Sequence, residues 1–175
     1  MPIITGTNKY IEVHLFNELK YLLCATKVWK LIEDKKIKDN IHMQVYAMTS
    51  VFVHSRNLYL FFTEQAKQKS PHISDAYNIL PKLPVSQLFK KYKRTIEAKV
   101  LHLNPLNQRE SNISINKLMI DITNDVLDII AQNIVNLEIT NPAVAEYLKK
   151  MRSEAINSAN QILPAYPLSG IVELN

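Results

Sequence analysis

The sequence predicts an all-α fold, an antiparallel bundle of about five helices, and three observations lead to it. Apolar residues recur at three- and four-residue spacing over five separate stretches, the pattern of one buried face on a helix. The only glycines, Gly6 and Gly170, lie near the two ends, so the interior lacks the tight turns of a hairpin-rich β fold. The eight prolines stand singly or in short groups between the periodic stretches, as punctuation. At 175 residues and 47% apolar content, the chain reads as a single domain, 1–175, able to form a core without staples.

The first helix is expected from about Asn8 to Lys38. Ile11, Leu15, Leu19, Leu22, Thr26 and Trp29 form its stripe, and Phe16, Leu23 and Leu31 widen it. Cys24 is the one cysteine, which excludes an intrachain disulfide and reads as a buried, reduced thiol. The second helix, Ile41 to Ala66, is apolar around most of its circumference and reads as the central, nearly enclosed element. Ser70-Pro-His72 ends it, and an irregular connector over about 70–85 follows, where Pro81 and Pro84 impose extended backbone. Ser86 is a candidate N-cap for a third helix that Asn104-Pro105 stops. The fourth helix runs from about Ser114 to Glu138. Asp121, Asp125 and Asp128 share the face opposite its apolar stripe and read as solvated or as a pairing surface for another helix. Thr140-Asn141-Pro142 starts the fifth helix, with Asn141 as N-cap and Pro142 at the first helical position. It runs to about Ile162, and the tail from about 164 to 175 is expected to be irregular.

The net charge is +5, and it is concentrated. Between residues 82 and 109 stand Lys82, Lys90, Lys91, Lys93, Arg94, Lys99 and Arg109 against the single acid Glu97. A local basic face suits a polyanion such as RNA, or serves as a solvated helix surface. No phosphate-binding glycine loop, dinucleotide fingerprint, His-Glu-x-x-His or cysteine-rich metal site is present, so neither cofactor nor metal is expected. No leader-like N-terminus and no long uninterrupted apolar run are found, and the expectation is a cytoplasmic protein without a membrane span.

Two polar clusters remain as candidates for chemistry. His54, Arg56 and Asn57 interrupt the apolar second helix. Arg56 falls inside the apolar arc, whereas His54 and Asn57 lie on a polar strip, so Arg56 needs a partner from another element. Lys99 and His102 lie on the third helix, with Arg109 beyond it. The run His54-Ser-Arg56-Asn57-Leu58-Tyr-Leu-Phe61-Phe62, followed by Lys99-x-x-His102-Leu103 and Arg109, resembles a group of uncharacterised bacterial proteins similar to the HEPN helical bundles. That resemblance implies an RNA-associated or interaction module of the stress or defence type, with binding candidates His54, Asn57, Lys90, Lys91, Lys93, Arg94, Lys99 and Arg109.

It also implies an alternative, a metal-independent ribonuclease in which Arg56 and His102 act on RNA. A histidine would move the 2′-hydroxyl proton and an arginine would stabilise phosphate charge. The chain departs from the active HEPN pattern: the positions that would hold the histidine after Arg56-Asn57 carry Phe61, Phe62 and Thr63. The same residues also suit a buried hydrogen-bonded network that fixes the bundle register. A homodimer, or an antitoxin-like protein partner, is the remaining expectation for such a bundle.

Overall fold

In the computed structural model, residues 10–38, 41–63, 80–93 and 114–174 are described, and they form an all-α helical bundle. A π-helical turn, Tyr10–Leu15, runs directly into α1, Phe16–Glu33. The long helix α2 covers Ile41–Thr63. An extended strap, 80–86, leads into helix α3, described over 87–93. Helices α4, Ile115–Thr140, and α5, Pro142–Gln161, are separated by the single residue Asn141. A 3₁₀ turn at Leu168–Gly170 closes the chain. No strand occurs among the described residues.

The caps follow the local sequence. Ser114 accepts from the Lys117 amide, and Asn141 accepts from the Val144 amide with Pro142 next in line. Ser86 caps α3 by accepting from the Phe89 amide at 3.0 Å. The end of α1 is less obvious from sequence. Lys35 adopts φ 54°, its amide bonds Ile32 O, and the Lys36 amide bonds Leu31 O, both at 2.9 Å. This is the paired closure in which a left-handed residue follows the helix, here a lysine where glycine is usual.

One continuous core joins all these elements, and α1 runs through its middle, packing on α2, α4 and α5. The expectation that α2 is the enclosed helix is therefore corrected. Val51, Phe52, Leu58, Tyr59 and Phe62 are buried, whereas near the N-terminal end of α2 Ile41 is 65% and Tyr46 73% exposed. Among the described residues, α1 and α4 pack on α2, and the strap and α3 reach it through Leu83 and Phe89. Where α1 meets α4, Thr26 and Thr123 are fully buried with their hydroxyl oxygens 2.7 Å apart. Each hydroxyl also lies 2.9 Å from a carbonyl of its own helix, Leu22 O and Met119 O. Two protons serve three contacts, so one hydroxyl bonds across the interface while its partner bonds back to its own helix.

Lys27, a residue the periodicity passes over, is also fully buried. Its ammonium donates to Ala159 O at 3.1 Å, in the last turn of α5, where carbonyls lack intrahelical partners. Burial pushes its pKa down. Cys24, one turn earlier, is half-buried rather than enclosed, and burial raises its thiol pKa.

The tail is not a loose end. The Leu168 amide donates to Asn160 Oδ1 at 2.8 Å, the Glu173 amide donates to Asn124 Oδ1 at 3.0 Å, and Leu168 and Val172 are buried in the core. The expected irregular tail is thus irregular in backbone but packed. Its sequence is too short and proline-broken for periodicity to announce a buried face.

Candidate functional site

Three polar assemblies lie along α2, and they point in different directions. The first joins α1 to α2. Glu18 Oε2 accepts from Asn57 Nδ2 at 3.1 Å and lies 2.8 Å from His54 Nδ1. The imidazole sits 5.4 Å from the ring of Tyr21, centre to centre. A carboxylate on Nδ1 fixes the ring's orientation and leaves Nε2 as the nitrogen facing away from it. Glu18 follows Leu15 by three residues and precedes Leu22 by four, so it edges the buried stripe of α1. That placement marks it as a boundary residue, which in the sequence alone looks the same as a solvated carboxylate.

The second assembly is Arg56. Two residues beyond His54, it lies about 160° away around the helix, so the two cannot share a site on their own element. Its Nε is buried and has no hydrogen-bond partner among the described residues. Among the described residues, the expected network of His54, Arg56, Asn57 and His102 is divided: His54 and Asn57 meet on Glu18, and no hydrogen bond joins Arg56 to them. His102, the candidate partner for Arg56, lies outside the described residues, as do Arg94, Lys99 and Arg109.

The third assembly fixes the strap and α3 to the bundle. In the last described turn of α2, Phe62 O accepts from the Leu83 amide at 3.0 Å, and Phe61 O accepts from Lys82 Nζ at 2.7 Å. The same ammonium lies 5.0 Å from the centre of the Phe61 ring. Burial lowers the Lys82 pKa to about 8. Further along, the hydroxyls of Tyr59 and Ser86 both donate to Asp125 Oδ2, and Phe89 stacks on Tyr59 with ring centres 4.0 Å apart. Burial pushes the Asp125 carboxyl up to about 6, and Asp128 nearby adds to the rise. The two hydroxyl donors act the other way, since they favour the ionised form.

The reading of Asp125 as solvated or paired with cations is thus corrected for this residue, whose partners are neutral hydroxyls. Asp121 does pair with a cation, Lys117, though on its own helix.

From α3, Lys90 and Lys91 project into solvent, while Lys93 is partly covered and engaged with a neighbour. Lys91 Nζ lies 5.1 Å from the centre of the Tyr92 ring. No family model, no curated protein and no solved structure matches the chain. The site's chemistry must therefore be read from the residues themselves. Among the described residues, no group of three or more His, Cys, Asp or Glu side chains is placed to hold a metal ion. No described helix is long and apolar enough to cross a membrane.

Proposed function

We propose that this chain is an RNA-associated, HEPN-like bundle protein of the stress or defence type, acting in the cytoplasm and binding RNA through the basic segment 82–109. The observation that carries the reading is the pair Lys90 and Lys91. They are exposed on a helix that is capped at Ser86 and packed down through Phe89. A basic pair on an anchored element offers charge without the full ordering cost of a loop.

Binding of a single-stranded RNA, followed across a salt series, tests it. Affinity is expected to fall linearly with salt on logarithmic axes, and Lys90→Gln with Lys91→Gln to flatten that slope. Absence of binding at low salt overturns the reading.

Cleavage by Arg56 and His102 is a second reading, favoured by the buried Nε of Arg56 that no described group satisfies. It requires Arg56→Ala or His102→Ala to abolish RNA cleavage while thermal stability is kept. Dimerisation is favoured by a different observation. Val135 and Ile139 form an apolar pair one turn apart on the outer face of α4, with Ile139 85% exposed. Sedimentation at rising concentration decides that reading, and a monomer throughout removes it.

A further inference from the structure

We infer that the Asp125 carboxyl is a latch: its protonation state sets how firmly the start of α3, and with it Lys90 and Lys91, is held on the bundle. The inference concerns regulation of the basic surface and rests on the RNA reading only for its consequence.

The geometry concentrates the attachment on one oxygen. Asp125 Oδ2 accepts from Tyr59 of α2 and from Ser86 of the strap. The Ser86 hydroxyl simultaneously accepts from the Phe89 amide, and Ser86 O accepts from the Lys90 amide at 3.0 Å. The first turn of α3 is thus wired through Ser86 to Asp125, and the Tyr59–Phe89 stack lies beside the same contact. Among the described residues, the titratable groups that act on this carboxyl are Tyr59 from α2 and Asp128 one turn along α4, whose charge in turn acts on Arg152 of α5.

A protonated carboxyl carries its hydrogen on Oδ1 and leaves Oδ2 able to accept both hydroxyls. Neutralisation therefore keeps the two bonds and removes the cost of holding a desolvated charge. Lifting the strap returns Asp125 to water, where the ionised form is favoured. The docked state consequently binds the proton more tightly than the lifted one. Docking tightens as pH falls through about 6 and is weakest above it. A difference of about two pKa units sets a ceiling of roughly 100-fold on the change in the docking equilibrium. Over pH 5 to 8, with the docked carboxyl titrating at about 6 and the lifted one near 4, the change is about tenfold, and the rest of it falls below pH 5.

The test is amide hydrogen exchange, by NMR, at Phe89 and Lys90 of the full chain between pH 5 and 8, corrected for the intrinsic rates. The amides of Val126 and Leu127 in α4 serve as internal controls. The wild-type protein is expected to lose about tenfold in protection at Phe89 and Lys90 as pH rises, with the α4 amides unchanged. Asp125→Asn, which offers a neutral acceptor to both hydroxyls, is expected to keep high protection throughout. Ser86→Ala is expected to have low protection throughout. Protection that is independent of pH in the wild-type protein, with the Asp125 carboxyl carbon titrating near 4, overturns the latch. Binding of polyuridylate by the same samples separates the two readings. Exchange that responds without any binding removes the RNA reading and leaves the latch, whereas binding with flat exchange does the reverse.

Discussion

At the residue scale, His54 and Asn57 of α2 are hydrogen-bonded, and Arg56 Nε has no partner among the described residues. Glu18 holds two donors at once, so Glu18→Ala strands both His54 and Asn57. A loss of about 1 kcal/mol is expected in urea titration, since the cluster is only half-buried and water takes up part of the lost bonding. Arg56 contrasts with it. Its buried Nε has no described partner, so Arg56→Leu is expected to leave stability unchanged or raise it slightly. If Arg56 serves RNA, the same variant lowers affinity without unfolding the chain, and the two readouts together distinguish a binding role from a structural one.

The sequence marked His54, Arg56 and Asn57 because polar residues interrupt an apolar run, and helical geometry alone separated Arg56 from the other two. It could not assign Glu18 or Asp125 as partners. A carboxylate at the edge of a buried stripe looks, in one dimension, the same as a solvated one. Lys27 was missed for a related reason. Its burial depends on where α5 ends, a long-range fact that local periodicity does not encode.

At the element scale, helix ends were the most legible feature, because capping chemistry is local. Ser86, Ser114, Asn141 and Pro142 were all readable as starts, and each is one. The end of α1 was not, because its left-handed position carries Lys35 instead of glycine. That strain leads to a prediction: Lys35→Gly is expected to raise stability by about 0.5–1 kcal/mol, measured as a shift in the denaturation midpoint.

The buried lysines of α1 and the strap give a pH dependence whose sign is fixed. Both Lys27 and Lys82 have pKa values lowered by burial, so in the alkaline range the unfolded chain binds more protons than the folded one. Stability contributed by these groups is therefore expected to rise as pH increases through about 8, the folded value for Lys82, toward the ordinary lysine range. Lys82→Met is expected to flatten that rise. A midpoint that instead falls in wild-type protein over this interval, and is unaffected by the substitution, would contradict the account.

At the scale of the whole molecule, the all-α class was legible because it rests on five independent stripes and on the scarcity of glycine, and neither needs tertiary knowledge. The centre of the bundle was not, since α2 is the most apolar helix but α1 is the one surrounded. The tail shows the same limit. Leu168 and Val172 complete the core from a segment with no periodicity of its own, so deletion of residues 164–175 is expected to cost about 3–5 kcal/mol, read by thermal denaturation.

The central functional claim is that the basic surface of α3 engages RNA. It is tested most directly by the salt dependence of binding to a single-stranded RNA, wild type against the Lys90→Gln, Lys91→Gln double variant. Loss of two phosphate contacts is expected to reduce the logarithmic salt slope by about 1.4. An unchanged slope, or no binding by the wild-type protein at low salt, would contradict it.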